Sequence, residues 1–240
     1  MCYNLSLLNP AFSKHFESLL TFNETYKTEP VYYKNAFALP THPVITNTLP
    51  VCIQEYTWGL IPFWVKSETD AESIRMKTMN ARADTIFEKP SYRDAIIQRR
   101  CLIPADGFFE WRYFKGKKYP YYIQMKNHQV FSIAGIWDVW ENPNSKEKEH
   151  TFSVITCKAN PLLEKIHNKK KRMPVILPQD KESEYLKNDL TKKEIHALLM
   201  PIDDSVLEAY TISKRVISTT QNRNDPKVIE PYEYSELPRI

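Results

Sequence analysis

A chain of 240 residues, 42% hydrophobic and 26% charged, has enough apolar material for a packed core, and its formal net charge of +4 permits an anionic partner without demanding one. No apolar run approaches the length of a membrane span, and the N-terminus lacks the basic and apolar regions of a secretory signal. Four separated cysteines without a Cys-x-x-Cys pair, and only four glycines, exclude a cysteine metal cluster and a Gly-rich phosphate loop, so a cytoplasmic, reduced protein with no metal and no cofactor is expected.

In chain order, Asn9-Pro10 opens a helix with Phe12, Phe16 and Leu19 on one face. Val51 to Ile53 reads as a strand. Ser91 to Arg99 reads as a helix with a Ser-x-x-Asp cap and Tyr92, Ala95 and Ile96 inward. Strands follow at Cys101 to Ile103, Tyr121 to Met125 and Val130 to Ile136. Within Tyr121 to Met125, residues 121, 123 and 125 alternate with more polar ones, which predicts one buried face. Glu141 to His150 is a hydrophilic loop, followed by a strand at Phe152 to Cys157. Asn160-Pro161 opens a short helix through Leu162, Leu163 and Ile166, and Val175 to Leu177 is again strand-like. Thr191-x-x-Glu194 is a capping box ahead of Ile195, Leu198 and Leu199. Strands adjoin strands more often than helices. This predicts one α+β domain over residues 1 to 240, its core in about 1 to 220, with a largely antiparallel, barrel-like sheet flanked by short helices. Cys52, Cys101 and Cys157 sit in apolar runs and read as core residues.

Cys2 is different. If Met1 is removed, Cys2 carries a free α-amine and a thiol on adjacent carbons. Such a 1,2-aminothiol condenses with an aldehyde, imine first and then thiol addition, to close a thiazolidine. Three polar residues sit inside apolar phrases elsewhere: Asn80 in Met79 to Thr85, Glu110 between Phe109 and Trp111, and His167 ahead of Lys169, Lys170, Lys171 and Arg172. A carboxylate framed by aromatics is desolvated and holds a proton closer to neutrality, and histidine exchanges protons at physiological pH. Each also has a plain structural reading. Asn80 can cap a turn, Glu110 can face outward on a strand edge, His167 can sit on a solvated helix end, and the lysine run can be a solvated surface.

Taken together, Met1-Cys2, the run from Trp58 to Trp64, NARADT at Asn80 to Thr85, RRCLIPADGFFEW at Arg99 to Trp111 and IHNKKKRMPVIL at Ile166 to Leu177 resemble the SRAP (SOS response-associated peptidase) family of abasic site processing proteins. FSIAGIWD and FSVITCKAN lie between the last two in the same order. The resemblance implies binding of single-stranded DNA and covalent crosslinking to abasic sites through the N-terminal cysteine. It implies a nucleophilic Cys2, catalytic roles for Asn80, Glu110 and His167, and DNA contacts from Arg82 and Arg172. Lys169 to Lys171 are further phosphate contacts, and Trp58, Pro62, Phe63 and Trp64 an aromatic platform or wedge, with Trp58 leaning towards the core. The chain departs from the family at Tyr3-Asn4, where Gly-Arg is usual, and between His167 and Arg172, where two residues are extra. The Tyr-Asn-x-x-Pro phrase appears only loosely, around Asn35 to Pro40. A thiol peptidase using Cys2 and a non-catalytic single-strand-binding module are the alternatives, and a monomer is expected.

Overall fold

The computed structural model describes residues 2–9, 12–19, 29–218 and 220–240. The strands in chain order are β1 (Asn4–Leu7), β2 (Val31–Asn35), β3 (Thr41–Thr46), β4 (Leu49–Trp58), β5 (Asn80–Arg82), β6 (Arg100–Ala105), β7 (Gly107–Phe114), β8 (Lys117–Met125), β9 (Phe131–Glu141), β10 (Lys148–Lys158), β11 (Arg172–Pro174), β12 (Ile176–Leu177) and β13 (Leu207–Thr211). Short helices α1 (Glu68–Arg75), α2 (Arg93–Gln98), α3 (Pro161–Ile166), α4 (Gln179–Tyr185) and α5 (Lys192–Leu198) lie between them.

Strands β4, β3, β6, β9 and β10 pair in that order, and β10 pairs back with both β9 and β4. The sheet therefore closes into a barrel, which removes its edges. Its pairings are antiparallel except β10 with β4; β5 also joins β10 in parallel. A second, antiparallel sheet runs β13-β8-β7-β1-β2. The expected α+β fold with a barrel-like, largely antiparallel sheet is what the chain forms. The largest apolar cluster draws on Cys2 and Leu5 at one end of the chain and Leu207 near the other.

Two glycines permit close approaches. A Cβ on Gly107 would lie 2.3 Å from the Tyr122 ring, which crosses β7 there to bring its hydroxyl 2.9 Å from Ser6 Oγ. A Cβ on Gly135 would meet Ile103 Cδ1 at 2.5 Å, inside the barrel wall.

The caps expected at Asn160 and Thr191 both form. Asn160 Oδ1 accepts from Leu163 N–H at 2.9 Å, and Thr191 and Glu194 make the reciprocal capping box. Other expectations need correction. In the first helix, Pro10 lies outside the described residues, and one 3-10 turn covers Phe12–Phe16. Helix α2 begins after Tyr92 and has no side-chain cap, because Ser91 lies one residue too early to serve as the cap. Strand β8 is buried on both faces from Tyr119 to Ile123: Ile123 joins the main core, whereas Tyr122 packs with Phe109, Ile212, Val216 and Val228. The chain beyond β13 covers the face that alternation assigned to solvent. Cys101 and Cys157 are buried, but Cys52 is only partly so; all four cysteines are free.

Candidate active site

Cys2 lies two residues before the start of β1, which is hydrogen-bonded to β7 with Leu5 opposite Phe108. Continuing that antiparallel register by two residues sets Glu110 level with Tyr3. Cys2 is fully buried, and its Sγ points 3.9 Å from the Asn4 carbonyl. Glu110 is 2% exposed. His167 arrives from the other side as the residue that ends α3, its N–H bonded to the Leu163 carbonyl at 2.7 Å. The next residue holds it there. Asn168 Oδ1 accepts from Tyr113 N–H at 3.1 Å and its Nδ2 donates to Tyr113 O at 2.8 Å, so one amide side chain pairs with β7 as a strand neighbour would. Lys169 Nζ sits 3.7 Å from the Tyr113 ring centre, a cation–π contact, and Lys171 closes the loop with φ of 48°. The loop containing the two extra residues is thus clipped to β7, and His167 Nδ1 comes within 3.7 Å of Glu110 Oε1.

Burial pushes Glu110 up from 4.5 to about 7; the Trp111 N–H and the charge of Lys170 pull the other way. Near neutral pH this carboxyl is therefore both donor and acceptor of a proton. Burial, reinforced by the negative charge of Glu110, drives the Cys2 thiol far above its usual range, so the resting side chain is a thiol and not a thiolate. Burial lowers His167 to about 4, with Lys170 and Arg172 acting in the same direction. His167 is neutral at pH 7, its Nδ1–H donating to the Arg172 carbonyl at 2.8 Å, which leaves Nε2 as the acceptor nitrogen. Asn80, the first residue of β5, is 9% exposed, and neither atom of its side-chain amide has a hydrogen-bond partner among the described residues. Leaving such a group buried costs about 1–3 kcal/mol, a cost that a bound ligand can offset. Tyr92 links Asn80 to the site: its hydroxyl donates to the Asn80 carbonyl at 3.2 Å, and its phenol is close enough to Tyr3 to be influenced by it.

Glu110 and His167 line an open cleft of about 500 Å³ together with Tyr3, Trp111, Lys169 and Lys170. Lys170 also lines a second cleft that contains Arg82, Asp84, Lys171, Arg172 and His196. There Arg82 and Arg172 both reach Asp84, at 2.5 and 3.4 Å, and Arg172 is anchored by the Thr156 carbonyl at 2.6 Å. Arg82 is the more accessible of the two, its side chain 54% exposed against 11% for Arg172.

The aromatic run divides. Trp58 is fully buried, its Nε1–H bonded to the Met79 carbonyl at 2.9 Å and its ring stacked on Phe152, so it is a core residue and not a base platform. Pro62 is buried as well. Burial removes both from the set expected to touch DNA. Phe63 and Trp64 are 55% and 42% exposed at a turn held by a bond from Phe63 N–H to Asp138 Oδ2 and covered on one side by Arg99. Sequence reasoning passed over Tyr3, Tyr92 and Asn168, which line or brace the site. The departure from Gly-Arg at Tyr3-Asn4 was the available signal for Tyr3. A wider cleft of about 840 Å³, walled by Tyr210, Tyr232 and Tyr234 from the C-terminal region, holds none of the candidate catalytic residues. Among the described residues no His/Cys/Asp/Glu cluster is arranged to hold a metal, and no helix is long and apolar enough to cross a membrane.

Fold and site define a class: a small β-barrel protein whose N-terminal cysteine region is buried against a carboxyl–imidazole pair beside a basic cleft. The chain belongs to the family described as SOS response associated peptidase (SRAP), which matches residues 1–219. It is 35% identical over 238 residues to the abasic site processing protein YoqW of Bacillus subtilis (strain 168), covering 97% of this chain and 100% of that one. It is 33% identical over 205 residues to the abasic site processing protein HMCES of Gallus gallus, covering 75% of this chain and 58% of that one. A crystal structure of a protein from Bacteroides thetaiotaomicron superposes with a TM-score of 0.89 at 41% identity, covering 97% of this chain and 100% of that one.

Proposed function

We propose that this protein processes abasic sites in single-stranded DNA by closing a thiazolidine between Cys2, freed of Met1, and the ring-opened aldehyde. The observation that carries this reading is the convergence of a buried Cys2 thiol, a Glu110 carboxyl raised to about 7 and a neutral His167, with Glu110 and His167 3.7 Å apart. Relatives in the same family are named for abasic site processing.

The chemistry follows from these protonation states. Ring opening takes the proton from the C1′ hydroxyl and delivers one to the ring oxygen. His167 Nε2 accepts the first, and the imidazolium so formed, a strong acid in this setting, supplies the second. The Cys2 amine, with a reference value of about 7.7–8.0, is partly neutral at pH 7 and attacks C1′. Glu110 protonates the carbinolamine hydroxyl, which leaves as water, and an iminium remains. The thiol then adds to the iminium carbon. The C=N electron pair returns to nitrogen, and the thiol proton passes to the Glu110 carboxylate, restoring its acid form. Because amine and thiol belong to one residue, closure benefits from a high effective molarity. Asn80 orients the sugar hydroxyl, while Arg82, Arg172 and the lysines from 169 to 171 hold phosphates with a salt-sensitive affinity. The protein acts as a cytoplasmic monomer that joins the nucleoid when bound to DNA.

A thiol peptidase attacks through a thiolate, and burial of the Cys2 thiol disfavours that form. The deciding experiment combines Met1-free protein with an abasic single-stranded oligonucleotide on a denaturing gel. Crosslinking predicts a heat-stable, Cys2-dependent band whose intact mass is that of protein plus DNA less one water. Cleavage of an added peptide without that band identifies a peptidase, and salt-reversible binding alone identifies a binding module.

A further inference from the structure

The cleft lined by Glu110 and His167 also holds Tyr3, one member of an aromatic pair that the proposed chemistry does not use. Tyr3 lines the cleft, and its ring lies 4.8 Å from that of Phe37 at an angle of 41°. The pair is held by backbone as well as ring contact. Ala36 N–H donates to the Tyr3 carbonyl at 2.8 Å, Asn35 Oδ1 accepts from Phe37 N–H at 3.0 Å, and Leu39 turns the chain with φ of 49°. Phe37 nevertheless remains 52% exposed, on a tight single turn. Lys169 and Lys170 line the same cleft, so an apolar face and cations are presented together. A nucleotide has that combination, a planar base and a phosphate.

We propose that Tyr3 and Phe37 form a shelf on which the nucleobase flanking the abasic sugar stacks, so that Tyr3 is a positioning residue for the reaction at Cys2. This rests on the abasic-site reading above. Tyr3 follows Cys2 directly, with about 3.8 Å between their Cα atoms, so a base seated on the shelf belongs to a nucleotide next to the one whose C1′ meets Cys2. Because every base has a π-face, the shelf favours any base over none and purines over pyrimidines through their larger stacking area.

The test uses single-stranded oligonucleotides carrying tetrahydrofuran, an unreactive abasic analogue, with 2-aminopurine on its 5′ or its 3′ side. Binding of the wild type should quench the fluorophore at one flank. Phe37→Leu, which keeps an apolar side chain without a ring, and Tyr3→Gly should each lose most of that quenching and raise Kd by about 5-fold or more, whereas Tyr3→Phe should retain both. Quenching unchanged in Phe37→Leu and Tyr3→Gly overturns the proposal. Crosslinking of a natural abasic oligonucleotide is read separately. Wild-type protein that quenches but does not crosslink refutes the chemistry at Cys2, wild-type protein that crosslinks without quenching at either flank refutes the shelf, and absence of both refutes both.

Discussion

Glu110→Gln should make the protein more stable, and by an amount that depends on pH. A carboxyl raised from 4.5 to about 7 on folding binds its proton more tightly in the folded state. Its contribution to stability is therefore intact below pH 4.5 and is lost as pH rises through 7. At one unit per 1.36 kcal/mol, the loss is about 3 kcal/mol at pH 8 and below about 0.5 kcal/mol at pH 4.5. Glutamine keeps the shape of the protonated acid and cannot ionise, so it removes that cost. For a chain of this size 1 kcal/mol corresponds to roughly 2–4 °C in Tm, and the variant should melt about 6–12 °C above wild type at pH 8 and within about 2 °C of it at pH 4.5. Thermal unfolding followed by circular dichroism across that range checks this, on protein without DNA. A Tm difference that is the same at both pH values, or a variant less stable than wild type at pH 8, would refute the reasoning that burial holds Glu110 protonated. If the proposed function is right, the same variant loses crosslinking. That pattern, more stable and less active, separates a functional carboxyl from a structural one.

Cys2→Ala should abolish the heat-stable adduct while leaving an imine that borohydride traps, and strand cleavage by β-elimination should appear in its place; an equally stable adduct without borohydride would rule out the thiazolidine. The rate of crosslinking should rise as the Cys2 amine loses its proton and fall as Glu110 loses its own near pH 7, giving a bell-shaped profile in single-turnover kinetics; a rate that keeps rising above pH 8 would remove Glu110 from the role of acid. Asn168→Ala removes both hydrogen bonds that clip the His167 loop to Tyr113. It should cost about 1–2 kcal/mol in urea unfolding and slow crosslinking with little change in DNA affinity. Gly107→Ala drives a methyl into the Tyr122 ring, and an overpacking cost of about 1–3 kcal/mol should appear as a lower urea midpoint, partly recovered by Tyr122→Phe.

The residues of the candidate site are legible in the sequence because they stand inside short phrases whose order and spacing are local properties. Cys2, Asn80, Glu110 and His167 could be named that way, and the aromatic neighbours of Glu110 announced its burial. The caps at Asn160 and Thr191 were equally plain, since a cap depends on three or four consecutive residues. Other features depend on residues far apart in the chain. Closure of the barrel needs β10 to pair at once with β9 and β4, and the same strand also takes β5 and β11, a set of registers that no local pattern encodes. The alternation in β8 pointed to one buried face, yet the segment from residue 212 to 228 buries the other. Trp58 looks like its exposed neighbours Phe63 and Trp64 in sequence, and only the position of Phe152 and the Met79 carbonyl makes it core. The state of His167 depends on burial and on the Arg172 carbonyl, both set by the folding of the loop onto β7. The sequence by itself determined which chemical groups are present and which turns begin and end the short elements. Tertiary structure decided which of those groups are desolvated, and desolvation is what converts an ordinary carboxyl, thiol and imidazole into a site with matched protonation states.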